Sequence, residues 1–297
     1  MITRAPGKLV LSGAYAVLDG APAIVTAVDR YAVADTSRPA EHCTPEVQAA
    51  IGARPAPWFD AAALREGGEK LGLGSSAAIL VASLAAIALE AKGPLDHDAL
   101  CEAVLHAALS AHAQAQGGGS GIDVAASCRG RTLVAVRKDT LQLRAVELPA
   151  ALHIEVWAAG RPASTAELLG RVRALDAARY RALIAPQRQA SEQAVQALDE
   201  GDAAGFVTAL AVQCAALARL GDAAGAPIIT AELRRLAERA VRERAAVLPS
   251  GAGGGDVALF VGLAPPSEAL STLSRKLGHH RLALSLGAPG VHAASNW

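Results

Sequence analysis

Aromatic side chains are scarce in this chain: Phe, Trp and Tyr make up only 3% of its 297 residues, and there is a single methionine. A core of the size this length allows must therefore be filled by Leu, Val, Ile and Ala, and abundant alanine weakens any helix assignment that rests on alanine alone. Net charge is also lacking, with 28 basic residues against 28 acidic ones. That balance gives no reason to expect nucleic-acid or membrane attraction, although a local basic patch can still meet a small anion. The four cysteines, Cys43, Cys101, Cys128 and Cys214, are too widely spaced for a metal knuckle or a CxxC redox pair and read as buried thiols in a reducing compartment. The opening MITRAPGKLVLSG lacks the apolar core of a signal peptide, and the most apolar helical run is interrupted by Glu90 and Lys92. The expectation is a soluble cytoplasmic protein, monomer or homodimer, with a small-molecule partner, no nucleic acid and no membrane.

Glycine, by contrast, is plentiful and clustered. LGLGSSAA (Leu71 to Ala78), GGGSGID (Gly117 to Asp123) and PSGAGGGD (Pro249 to Asp256) each put small residues where backbone must approach something closely. The first runs directly into a long apolar helical stretch, the geometry that cradles phosphate oxygens.

Around these loops the hydrophobic pattern predicts strands over Lys8 to Leu11 and Ala23 to Val28, extended by Tyr31 to Ala34. An irregular segment is expected from Ser37 to Pro57. A helix is expected over Ser75 to Ala91, capped by Ser75 or Ser76, and another from Asp96 to Gln116. A short helix over Val124 to Ser127 and a hairpin of Thr132 to Val136 with Leu141 to Val146 complete an amino-terminal half. From about residue 150 the pattern predicts a strand over Leu152 to Val156, and helices over Ala166 to Leu175, Arg179 to Asp199, Ala203 to Leu220 and Ile228 to Ala246. A strand over Val257 to Val261, a helix over Ser267 to Leu277 and a strand over Leu282 to Leu286 close the chain. The order fits an α+β carboxy-terminal domain, with domains 1–149 and 150–297.

LGLGSSAA is neither a Walker loop, which needs a lysine, nor a dinucleotide fingerprint. What remains is Gly72, Leu73, Gly74, Ser75 and Ser76 leading into a helix N-terminus whose partial positive charge suits the triphosphate of ATP, with Ser76 able to reach a magnesium ion. A tight capped turn made only for packing stands beside that reading. Asp123 is the best candidate catalytic carboxylate, against the alternative that it caps the next helix. Lys8, held by Pro6-Gly7, can stabilise charge on a transferred phosphoryl group, against the alternative of a solvated surface amine. His112 suits an anionic substrate or a structural hydrogen bond, His106 is off its face, and His279-His280 reads as an exposed helix end. Ser164 and Thr165, with Arg161 nearby, form either an anion-binding helix start or an ordinary cap. Ser250 to Gly255 lets the carboxy-terminal part come close to a substrate or to the sheet.

In order and over nearly the whole chain, the motifs APGKLVLSGAYAVLDG, EKLGLGSSAA and LPSGAGGGDVALFVG resemble those of the GHMP small-molecule kinase superfamily. AHAQAQGGGSGIDVAAS and WAAGRPASTAELL resemble most its phosphomevalonate kinase branch, as does His112 at the position where mevalonate kinases carry a magnesium-binding glutamate. The resemblance implies a two-domain α+β fold, with an amino-terminal ribosomal protein S5 domain 2-like α/β domain and a ferredoxin-like carboxy-terminal domain. It implies ATP and Mg2+ as cofactors, and transfer of the γ-phosphoryl group to mevalonate 5-phosphate, a phosphorylated small-molecule acceptor. By the same analogy Lys8 and Asp123 form the central polar pair and Gly72 to Ser76 the nucleotide loop, with Ser76 the protein candidate for magnesium. His112, Ser120, Gly121, Arg161, Ser164, Thr165, Gly253 and Gly254 surround the acceptor. Two positions depart from the family pattern. Ala14 stands where the first motif commonly has glutamate, and Gly118 where the branch commonly has lysine. Mevalonate kinase, mevalonate 5-diphosphate decarboxylase and a catalytically impaired ligand-binding protein are the competing readings.

Overall fold

The computed structural model describes residues 1–159 and 164–294. β1 (Ile2–Ser12) and β2 (Pro22–Pro39) are joined through a single 3-10 turn at Ala16–Asp19. After them come α1 (Pro45–Ile51), β3 (Pro57–Asp60) and a small hairpin of β4 (Arg65–Glu66) and β5 (Glu69–Lys70). The helices α2 (Ser75–Lys92), α3 (His97–Gln116) and α4 (Ile122–Arg129) follow, then β6 (Thr132–Arg137) and β7 (Leu141–Val146). The remainder runs β8 (His153–Ala158), α5 (Thr165–Arg173), α6 (Ala177–Asp199), α7 (Ala203–Ala224), α8 (Ala231–Arg242), β9 (Ala246–Pro249) and β10 (Val257–Gly262). It closes with α9 (Glu268–Lys276), β11 (His280–Leu282) and β12 (His292–Ala293).

One sheet has the strand order β12-β1-β2-β6-β7 with β3 added to β2, and another the order β11-β8-β10-β9. The chain forms two compact units from interleaved segments: Met1–Leu9, Val25–Leu133 and 284–294 make the first, Val10–Ile24 and Val134–Ala283 the second. Residue 150, where the sequence pattern suggests a division, lies inside the second.

In the first unit α2 packs against α3 and α4, and α1 against α2 and α3. Ala77, Ala78, Ala82, Ala85 and Ala86 of α2 are fully buried, so helix and sheet approach closely without large side chains. The Thr3 hydroxyl donates to Ala82 O at 2.7 Å, fixing β1 beneath the helix. In the second unit α6 and α7 pack together, α7 lies on β9 and β10, and β10 pairs antiparallel with both β8 and β9. The α2 and α7 sequences are long and apolar enough to cross a membrane, but 56% of each apolar window is buried in the fold. Their hydrophobicity serves internal packing.

Several expectations change. The segment 37–57 is not irregular, since it contains α1, whose cap Thr44 accepts from Val47 N with Pro45 in the first turn. Thr-Pro-Glu at 44–46 is a helix-start signal hidden by a short, alanine-rich run. The helix expected to reach Ala246 stops at Arg242, Arg244 takes a left-handed φ of 54°, and residues 246–249 become a buried strand. A four-residue apolar run cannot be assigned by periodicity alone. The strand expected over 282–286 ends at Leu282, while Leu286 bridges Val28 instead. Ser75 and Ser76 do not cap α2: its cap is Gly74, in the left-handed region. His279 is only 5% exposed rather than a solvated helix end.

Candidate active site

Lys8 lies in β1, and its side chain is 7% exposed. A buried ammonium needs compensation. Its Nζ stands 3.6 Å from Asp123 Oδ2 and donates to Gly72 O at 3.4 Å. The main chain is clamped to the same loop, Lys8 N donating to Leu73 O at 2.8 Å. A Cβ at Gly74 would stand 2.9 Å from Lys8 Cε, and φ there is +74°, so glycine is required both by the lysine stem and by the backbone. Gly7 is needed as well: a Cβ there would lie 2.6 Å from Leu64 Cδ2 and 2.8 Å from Leu73 O. The surface-amine reading of Lys8 therefore fails, because the glycine loop wraps its stem.

Asp123 is in the first turn of α4, whose cap is Gly121. Its carboxylate is consequently not a helix cap but is turned to Lys8. One helical turn on, the Ser127 hydroxyl donates to Pro6 O at 2.8 Å. Residues four apart share a helix face, so Ser127 fixes against β1 the face that carries Asp123. The sequence motifs assign no role to Ser127, and its i+4 spacing from Asp123 is the one signal that marks it.

The helix starts differ in an informative way. Among the described residues, α1, α3, α5, α6, α7, α8 and α9 are closed by a Thr, Asp or Ser side chain that accepts from a first-turn amide. By contrast, α2 and α4 begin at left-handed glycines, Gly74 and Gly121, with no side-chain cap. First-turn N–H groups left without a side-chain acceptor are free to meet an external anion, and the helix dipole favours one there. The two uncapped helices are those that carry Ser75-Ser76 and Asp123. Ser75 and Ser76 are half-buried, with hydroxyls not spent on capping.

The structure thus brings together, within the first unit, Lys8, Asp123, Gly72, Leu73, Gly74 and the α2 start with Ser75 and Ser76. Ser120, Gly121 and half-exposed His112 belong to the same unit, but among the described residues no hydrogen bond links His112 or Ser120 to the Lys8–Asp123 pair. Gly117, Gly118 and Gly119, which precede them, have left-handed or extended-positive φ values of 65°, 110° and 151°, with open space around each. Ser164, Thr165, Gly253 and Gly254 belong to the second unit. There Ser164 caps α5 by accepting from Glu167 N at 3.3 Å, the ordinary structural role, and Thr165 is exposed. Arg161 lies outside the described residues. No group of three or more His, Cys, Asp or Glu among the described residues is arranged to hold a metal.

Residues 64–131, which include the wrapped loop, the α2 start and Asp123, match the GHMP kinases N terminal domain family. That stretch carries the signature of the GHMP kinase family. A GHMP kinase relative, the phosphomevalonate kinase of Streptomyces sp. (strain CL190), is 29% identical, with 86% of this chain and 88% of the relative covered. Among solved structures, the Lin0012 protein from Listeria innocua superposes with a TM-score of 0.84 at 23% identity, over 100% of both chains. Streptococcus pneumoniae phosphomevalonate kinase, in complex with phosphomevalonate and AMPPNP, superposes with a TM-score of 0.76 at 18% identity, over 96% of this chain and 99% of that one. These structural likenesses establish the mixed α/β GHMP kinase fold.

The loop expected at Ser250 to Gly255 is tied down by its own Ser250 and by Tyr15, which has no sequence signal of its own. In the second unit, Ser250 Oγ accepts from Val10 N at 2.8 Å and the Tyr15 hydroxyl donates to Ala252 O at 2.7 Å, joining the first motif to the third glycine loop. Gly253 is pressed against Ile228, where a Cβ would stand 2.2 Å from the carbonyl oxygen, and Gly254 N donates to that oxygen at 3.1 Å.

Proposed function

We propose that this GHMP kinase transfers the γ-phosphoryl group of ATP to mevalonate 5-phosphate, giving mevalonate 5-diphosphate and ADP. The observation that carries the reading is the position of Lys8 Nζ, between the Asp123 carboxylate and the Gly72 carbonyl of the loop that opens α2. The Streptomyces phosphomevalonate kinase relative supports the choice of acceptor.

In the reaction an oxygen of the acceptor phosphate bonds to the γ-phosphorus while the bond to the β,γ-bridging oxygen breaks. The second pKa of such a phosphate is about 6, so near neutral pH the nucleophile is already largely a dianion. Proton removal is therefore a small part of the task, and bringing two anions together is the larger one. Amides at the start of α2 receive nucleotide phosphates, and the Lys8 ammonium spreads over the charge that moves from acceptor to leaving oxygen. Asp123 holds that ammonium in place and takes the proton of any monoprotonated acceptor. Magnesium neutralises phosphate charge when bound. The residues present fit such an ion, since Mg2+ beside a nucleotide needs only one or two protein oxygens, and the Ser76 hydroxyl and an Asp123 oxygen are available.

The test is incubation of purified protein with ATP, Mg2+ and, separately, mevalonate, mevalonate 5-phosphate, mevalonate 5-diphosphate and sugar acceptors. ADP release with mevalonate 5-phosphate and formation of the diphosphate are expected. Turnover only with another acceptor, or carbon dioxide release from mevalonate 5-diphosphate, would overturn the assignment.

A further inference from the structure

Cys101 and Cys128, where α3 meets α4 in the first unit, are both fully buried and both free. Buried thiols are ordinarily inert, and Cys214 behaves so, since burial pushes it up to about 12. Cys101 is arranged differently. Its thiol donates to Cys128 O at 2.9 Å, and its sulfur stands 3.5 Å from Nε2 of His97, one turn earlier on α3. His97 Nδ1 lies 3.1 Å from Val291 O. A carbonyl oxygen only accepts, so Nδ1 carries the imidazole hydrogen and Nε2 presents its lone pair to the sulfur. The result is a thiol, a base within reach of it and a backbone group that orients the base.

The second thiol completes the arrangement. Cys128 donates to the Cys101 sulfur, a contact that lowers Cys101 below the ordinary thiol range and, together with burial, raises Cys128. Of the four cysteines Cys101 alone is lowered, which sets a reacting thiol beside a resolving one. His97 is exposed and is the first residue of α3, where a helix opens at least cost, so a small oxidant reaches the sulfur through a single turn.

We propose that Cys101 and Cys128 form a modification site: hydrogen peroxide oxidises Cys101 with His97 as the base, and Cys128 closes the product into an intrachain disulfide. His97 Nε2 takes the thiol proton, the thiolate attacks one peroxide oxygen, the O–O bond breaks, and the leaving hydroxide takes the proton from His97 to become water. The Cys128 sulfur then attacks the sulfenic sulfur, the S–O bond breaks, and the hydroxyl departs with the Cys128 proton as a second water. Two thiols are oxidised to one disulfide and one peroxide is reduced to two waters. Bonded sulfurs stand about 2.05 Å apart, so closing the bond draws α4 toward α3. Asp123 and Cys128 share the eight-residue α4, so the same movement displaces the carboxylate from Lys8. Its effect on turnover rests on the proposed kinase activity; the disulfide does not.

The test treats reduced protein with hydrogen peroxide, blocks free thiols by alkylation and digests the chain. Mass spectrometry should find the Cys101 and Cys128 peptides joined with the loss of two hydrogens, and dithiothreitol should release them. In His97→Leu, a change at an exposed position, joining should slow about tenfold or more. In Cys128→Ala, dimedone should trap Cys101 as its sulfenic acid. Joining should lower kcat for ADP release about tenfold, an effect that dithiothreitol reverses and Cys128→Ala lacks. Cys101 and Cys128 still free at a peroxide dose that oxidises the exposed Cys43 would overturn the inference, as would equal rates in wild type and His97→Leu. A joined pair with unaltered kcat would overturn the coupling to Asp123. If unoxidised wild-type protein phosphorylates no acceptor, the kinase reading fails, while the mass measurement still decides on the disulfide.

Discussion

Lys8 and Asp123 are 115 positions apart in the chain, yet Nζ and Oδ2 stand 3.6 Å apart, with the lysine side chain 7% exposed and the aspartate 31%. Under the proposed function the asymmetry has a use: a buried ammonium held by a half-open carboxylate can redirect its charge to an arriving anion without moving far.

Asp123→Asn keeps the size of the side chain and removes its charge. Turnover should fall about a hundredfold or more, because Lys8 loses the anion that holds it in place, while the KM for ATP changes little. Steady-state ADP release measures both quantities. Undiminished kcat would remove Asp123 from the transfer step.

Gly74→Ala sets the lysine stem against a new methyl group. The added Cβ would lie 2.9 Å from Lys8 Cε, whereas at Gly93, also left-handed at +79°, nothing lies within 4 Å. Both alanine variants should lose stability by about 1 kcal/mol from backbone strain, but only Gly74→Ala should lose activity. Thermal melts paired with turnover separate the two effects. Equal turnover in both variants would show that the Lys8 stem gives way freely.

Gly118 marks the departure from the branch pattern, and the space around it is open, with φ at +110°. Gly118→Lys should lower the KM for mevalonate 5-phosphate several-fold, in a manner weakened by salt, while costing about 1 kcal/mol of stability. An acceptor KM independent of this substitution means that the positive charge comes from elsewhere in the fold.

His279 makes stability depend on pH. Its imidazole is lowered from the ordinary 6.5 chiefly by burial, which outweighs the opposing pull of Glu232. Nδ1 is buried without a partner. The unfolded chain therefore binds a proton that the folded chain resists, so this contribution is fully present above the ordinary value and is lost as pH falls below it. His279→Asn should flatten the decline of Tm between about pH 6.5 and pH 5. An identical pH profile in the variant would show that other groups set the acid limit.

Much of the local structure was legible. Leu89 and the Gly93-Pro94 stop bounded α2, Asp96 announced α3 by capping Ala99 N at 2.8 Å, and the breaks at Gly117 and Gly121 delimited the α4 start. Elements whose signal was short went unread: α1, with seven residues, and β9, with four buried ones, carry too few periods to distinguish themselves. At the site, residue types and their glycine settings pointed to Lys8, Asp123 and the α2 loop. The contribution of Ser127, Ser250 and Tyr15 was hidden because each acts through a backbone atom of a remote segment, and any residue can supply a carbonyl or an amide.

The sequence by itself determined that the glycine clusters turn left-handed, that α2 and α3 stop at Gly93 and Gly117, and which residue types could serve phosphoryl transfer, since these depend on neighbours within a few residues. Tertiary structure decided that a lysine on a strand is buried, that α2 and α4 keep uncapped starts beside it, and that Asp123 answers Lys8 rather than its own helix. Those outcomes are set by contacts between segments 64 to 115 residues apart in sequence, whose free energy no local pattern encodes.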